Sequence, residues 1–245
     1  MKKVLITGFL WVLIISYVFS QNRFSLTIVE YGEEVGHHYR KTIENNFWVK
    51  YGYYNLSSKI ETEKMFFGNF NAPVEFFYEH PYQGAYGFHV WRDSLRKTHI
   101  LEVKYIPNYI EANKETSDKY KSSSTSIDSM KALSKKIYEE KLKLYKVETF
   151  SFSISDQFAE KLYEKILSFI INFKSKGFSG SGGANSTVIF RTVVDNDELW
   201  TLRIYTPKGN AAKWSDFCRQ IINDAINDQF MNEPRYMFEL DKFGN

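Results

Sequence analysis

Between Trp214 and Ile226, apolar side chains recur every three or four residues, at Trp214, Phe217, Cys218, Ile221, Ile222, Ala225 and Ile226. Asp216, Arg219, Gln220, Asn223, Asp224 and Asn227 occupy the remaining positions. Such a stripe is one face of an amphipathic helix, and it cannot stand alone in water. It needs a sheet or another helix to cover it. A second stripe at Phe158, Leu162, Ile166, Phe169, Ile170 and Phe173, capped by Ser155 or Ser153 and ended by Lys174, Lys176 and Gly177, makes the same demand.

Short runs rich in β-branched and aromatic residues supply the cover. They are Phe24–Tyr31, Lys59–Phe67, Val74–Glu79, Tyr86–Trp91 and His99–Ile106, with turn formers between them. In the last run Leu101, Val103 and Tyr105 share one face while Glu102 and Lys104 share the other, the period-2 pattern of an antiparallel sheet. Val35–Tyr54 reads equally as strand or short helix. Val147–Ile154 alternates in the same way, and Thr187–Val194, the turn Asp195-Asn196-Asp197 and Glu198–Thr206 form a β-hairpin. Pro207–Asn210 then turns into the last helix, with Asn210 as its N-cap.

The fold class is therefore α+β. An aromatic-rich antiparallel β part over residues 21–106 is followed by a strand, helix, hairpin and helix within residues 128–245, either as a second unit or as one domain with the first. Between them residues 107–127, with Lys119, Lys121 and the run Ser122–Ser126, are polar and read as a linker or mobile loop. Met130, Leu133, Ile137, Tyr138, Leu142 and Tyr145 mark an exposed amphipathic helix after it. No internal repeat is visible.

The first twenty residues carry an address. Lys2 and Lys3 precede sixteen uncharged, mostly apolar residues, Val4–Phe19, and Val18-Phe19-Ser20 fits a cut ahead of Gln21. This is a secretory signal peptide, short against the roughly 20 residues that span a bilayer. Cleavage removes Lys2 and Lys3 and lowers the formal net charge from +3 to +1. So weak a charge, without a Lys/Arg cluster, argues against nucleic acid as a partner. The expected location is periplasmic or secreted, and no Cys near the cut offers a lipoprotein anchor. Cys218 is the single cysteine of the chain, so no internal disulfide can form and stability must come from the core.

Phe190–Ile204, Pro207–Asn210 and Phe217–Ala225 resemble a segment of uncharacterised exported proteins of Bacteroidetes, and the signal ending in Ser20-Gln21 is similar to theirs. The resemblance covers about the last hundred residues and the signal. It implies a Gram-negative envelope context and transfers no catalytic residue.

Familiar catalytic and metal motifs lack their parts. His37, His38, His80, His89 and His99 include no His-Glu-x-x-His helix, and even His89 and His99 opposed on neighbouring strands would leave zinc a ligand short. No metal or cofactor is expected. Gly177–Gly183 fails both as a nucleophile elbow and as a dinucleotide fingerprint, since it joins helix to strand where both motifs need strand to helix. Ser179, His89 and Asp195 can be nominated as a triad, but so can many sets, and Glu61 with Glu63 or Glu75 with Glu79 are expected simply to face water.

Aromatic residues make up 18% of the chain and concentrate in Phe47–Tyr109. Trp48, Tyr53, Tyr54 and Trp91 are the candidate binding residues, since such rings give large contact area with a polar handle. The leading expectation is a non-enzymatic soluble envelope protein that binds a protein or glycan. The alternatives are a secreted hydrolase with a dispersed active site and an immunity or inhibitor-like protein.

Overall fold

The alternation of Thr98–Tyr105 repeats on both of its neighbours, and it organises the molecule. Leu101 and Val103 are fully buried on one side, while Glu102 and Lys104 point to the other. The computed structural model describes residues 28–34, 37–43, 59–68, 72–120, 127–173, 186–194 and 198–243. Eight strands there form one sheet: β1 Ile28–Glu34, β2 His37–Ile43, β3 Val74–His80, β4 Gly84–Asp93, β5 Thr98–Tyr105, β6 Glu148–Ile154, β7 Thr187–Val194 and β8 Glu198–Tyr205. Their order is β2-β1-β8-β7-β3-β4-β5-β6. All neighbours are antiparallel except β1 and β8, which run parallel.

The expected α+β class holds. Strands β3 to β5, from the N-terminal part, lie between the β7–β8 hairpin and β6, from the C-terminal part, so both parts share one sheet.

Six helices are described: α1 Glu61–Phe67, α2 Tyr109–Tyr120, α3 Ile127–Leu144, α4 Asp156–Ile171, α5 Asn210–Asn227 and α6 Glu233–Leu240. The two stripes read from sequence bury as expected. Phe158, Leu162, Ile166 and Phe169 of α4 and Trp214, Phe217, Cys218, Ile221 and Ile222 of α5 pack on Phe76, Phe88, Leu101, Val103, Phe190 and Leu202 of the sheet. Each such large side chain contributes about 1.5–3 kcal/mol by leaving water. Trp214 stacks on Phe169 at 5.5 Å and meets Phe217 edge-on at 5.9 Å. Cys218 is completely buried there, and burial pushes its thiol well above the ordinary range, so it is inert packing.

Three local expectations are corrected. Lys59–Phe67, read as a strand, contains α1. Its buried residues Thr62, Glu63, Phe66 and Phe67 fit a helical stripe, and Glu63 reaches back to accept the Ile60 backbone N–H at 2.9 Å. Residues 107–127, read as a linker, contain α2. Its narrow buried stripe of Tyr109, Ala112 and Thr116 is made partly of small residues, which composition hides. Hydrogen bonds from Lys119 Nζ (2.8 Å) and Tyr120 Oη (2.5 Å) to Glu140 tie α2 to α3. Gly209, at φ 57°, takes the cap position expected of Asn210, because the chain turns there in a conformation that glycine adopts without strain. Helix α6, which no apolar stripe announced, is started by Asn232, whose side chain accepts the Arg235 N–H at 3.2 Å.

Candidate functional site

The opposite face of the sheet is built from charge. In register across β8, β7, β3, β4, β5 and β6 stand Thr201, Arg191, Glu75, His89, Glu102 and Ser151. A charged residue in the middle of an otherwise apolar strand must find a partner, because an isolated buried charge is far too costly to keep. Arg191 grips Glu63 of α1 through both terminal nitrogens, one contact being 3.3 Å from Nη2 to Oε2, and its Nη1 lies 3.7 Å from Glu75 Oε2. Lys59 Nζ donates to Glu75 Oε1 at 3.0 Å, and the Ala72 backbone N–H donates to the same oxygen at 2.8 Å. Arg191, Glu63 and Glu75 are at most 1% exposed, and Lys59 is 7% exposed. Burial lowers the Lys59 pKa against the opposing pull of Glu75.

Further along the row, His89 Nε2 and Glu102 Oε1 are 3.0 Å apart, and Lys104 Nζ lies 2.8 Å from that oxygen. Burial lowers the His89 pKa to about 4 in spite of Glu102, so the imidazole is neutral at pH 7. Burial pushes the Glu102 carboxyl up, but Lys104 and His89 together outweigh it and hold the pKa below the ordinary value. Lys104 also donates to the Phe66 carbonyl at 2.6 Å, fixing the end of α1 on the sheet. Phe67 lies 5.1 Å from the His89 ring, over Gly87. A Cβ at Gly87 would sit 2.5 Å from the Phe76 carbonyl oxygen and 3.0 Å from Phe67, so the approach of α1 requires glycine there.

Glu79, one turn of the pleat beyond Phe77, accepts from Tyr109 Oη at 2.8 Å and from Thr62 Oγ1 at 3.4 Å. Glu75 and Glu79 are thus bound to other side chains, which corrects the expectation that they face water. Glu61 is exposed and pairs with Lys64, whereas Glu63 is buried, because a helix separates neighbours that a strand would have placed two apart on one face.

Of the candidate binding residues, Trp91 stands on this face two residues beyond His89, half-buried, with Ile100 and Ser153 beside it in register. Trp48, Tyr53 and Tyr54 lie outside the described residues, as do Ser179 and Asp195. His89 and His99 are not brought together. His89 pairs with Glu102, while His99 sits opposite Arg92 and binds Asp156 Oδ1 at 2.7 Å. Tyr78 and Tyr86 are spent on packing, stacked 4.7 Å apart with the Arg219 guanidinium 4.8 Å from the Tyr78 ring.

The chain matches no protein family, no curated protein and no solved structure. Among the described residues no three His, Cys, Asp or Glu side chains are grouped to hold a metal ion, and no helix is long and apolar enough to cross a membrane. Sequence reasoning missed Lys59, Arg191, Thr201 and Arg203. The available signal was the pair of arginines at alternate positions in the strands of one hairpin, each set among apolar residues.

Proposed function

We propose that this chain is a non-enzymatic exported protein, periplasmic or secreted, that binds an envelope glycan or protein through the β4–β6 end of its polar sheet face. The observation that carries this is Trp91. It is partly exposed, in register with Ile100 and Ser153, and two residues along from the row of His89, Glu102 and exposed Ser151 on the edge strand. An indole with hydroxyls and an acceptor on the same sheet face suits the apolar face and hydroxyl rim of a sugar, which favours a glycan over a protein. The N-terminal signal, cleaved before Gln21, and the resemblance to exported proteins of Bacteroidetes supply the envelope context.

A specific observation supports the secreted-hydrolase alternative. His89 is neutral at pH 7 and oriented by a carboxylate, as a general base must be. At 6% exposure the imidazole gives a substrate little access, so binding is the better-supported function.

The test is a glycan array with the chain begun at Gln21, followed by titration of any hit into Trp91→Ala. Binding weakened at least about tenfold by that substitution supports the proposal. Unchanged binding moves the site elsewhere. Turnover of a substrate that His89→Gln abolishes and Trp91→Ala spares establishes the hydrolase instead.

A further inference from the structure

Among the described residues, Arg203 of the polar face has no carboxylate partner. Arg191 is held by Glu63, and Glu75 is held by Lys59 through Oε1 while its Oε2 lies 3.7 Å from Arg191 Nη1, so both buried acids face cations other than Arg203. The Arg203 side chain on β8 is only 7% exposed, and its Nε and Nη2 have no hydrogen-bond partner among the described residues. Those two nitrogens form the side-on edge of a guanidinium, whose parallel N–H groups match the two oxygens of a carboxylate. Two residues earlier on the same face, the completely buried Thr201 has an unpartnered Oγ1. Across the hairpin, Thr201 is in register with Arg191, whose Nε is likewise unpartnered at 1% exposure. Gly32, the register neighbour of Arg203 on β1, brings no side chain to that position.

Buried polar groups are rarely left unmade, because each carries the full penalty of its lost hydration. Here three such nitrogens and one hydroxyl come from two adjacent strands, and the nitrogens belong to fixed cations. We infer that Arg203, Thr201 and Arg191 form a binding subsite for a small carboxylate, with Arg203 as the bidentate clamp, Thr201 as a hydroxyl donor and Arg191 Nε as the flanking donor. The site lies on the far side of the ion row from Trp91, so it does not depend on the function proposed for that residue.

Thermal unfolding and titration calorimetry of the chain begun at Gln21 test this, with acetate, inorganic phosphate and chloride as probes at constant ionic strength. Acetate should raise Tm saturably in the millimolar range, and chloride should not. Arg203→Gln should weaken acetate binding at least about tenfold, the size expected for losing a charge-assisted pair of hydrogen bonds. Thr201→Val, which keeps the side-chain shape and removes the hydroxyl, should weaken it severalfold, and it decides the matter if Arg203→Gln does not fold. A response to phosphate alone overturns the carboxylate assignment. No saturable response to acetate, or an equal response in both variants, overturns the site.

Discussion

On one face of the sheet Phe76, Phe88, Leu101, Phe190 and Leu202 meet the stripes of α4 and α5; on the other, Lys59, Glu63, Glu75 and Arg191 are nearly as well buried and meet one another. The apolar face is held by area removed from water, a force without direction that tolerates any hydrophobic group of the right volume. The polar face is held by pairings with defined geometry, in which each charge is tolerable only because its partner is present. Equal burial therefore conceals unequal dependence on neighbours.

The largest effects expected on the two faces are similar in size and differ in how they can be rescued. Trp214→Ala should cost about 3–5 kcal/mol in urea unfolding, because it opens a cavity that Phe169 and Phe217 fill only in part. Arg191→Ala should cost about 3–5 kcal/mol for the opposite reason, by leaving Glu63 buried without its cation. Arg191→Leu combined with Glu63→Leu should recover most of that loss, since a pair of apolar groups strands no charge. If the double variant is as unstable as Arg191→Ala, the polar face is held by shape, and the contrast between the faces fails.

Acid separates the faces next. Protonation of His89 is suppressed in the folded protein, whose histidine pKa is lowered from 6.5 to about 4, and is free in the unfolded chain. Between those values the unfolded chain binds more protons, so stability is full above pH 6.5 and falls as pH drops toward 4, by about 3 kcal/mol. Glu102, with its lowered pKa, adds a further loss only below its ordinary 4.5. Stability measured against pH should therefore slope between 6.5 and 4.5 in the parent chain and be flat there in His89→Gln. A slope that survives the substitution belongs to another group.

Gly87→Ala should cost about 1–3 kcal/mol, measured by thermal unfolding. The new methyl meets the Phe76 carbonyl and displaces Phe67, loosening α1 from the sheet without touching the apolar face. A neutral result would mean that α1 is not seated where His89 and Lys104 place it.

How much of this was legible follows the same division. The stripes of α4 and α5 and the alternation of β5 were visible because burial by area leaves a periodic trace in a single segment. The polar row left no such trace. Arg191 and Glu63 are 128 residues apart, and nothing in the sequence around either names the other. Helix α2 was hidden for a related reason, since its buried face relies on Ala112 and Thr116 and on hydrogen bonds from Asn108 and Tyr145, which composition counts as polar. Trp91 could be nominated as a ring with a polar handle, but its place in register with Ile100 and Ser153 depends on register, which period-2 alternation leaves undetermined along the strand.

The smallest effect concerns the place where the two kinds of interaction meet. Ser155 joins β6 to α4, and its side chain accepts the Phe158 N–H at 3.2 Å while donating to Glu233 at the start of α6. One hydroxyl thus caps the helix that covers the apolar face and ties down the next helix through a polar contact. Loss of an exposed cap alone costs about 1 kcal/mol. Ser155→Ala should show that loss, and Glu233→Gln should show less, because the amide can still accept from the serine while the cap survives. If both substitutions cost the same and their combination costs no more than either, the serine acts through Glu233 and not as a cap, and the anchoring of α4 would then rest on the polar contact rather than on the helix end.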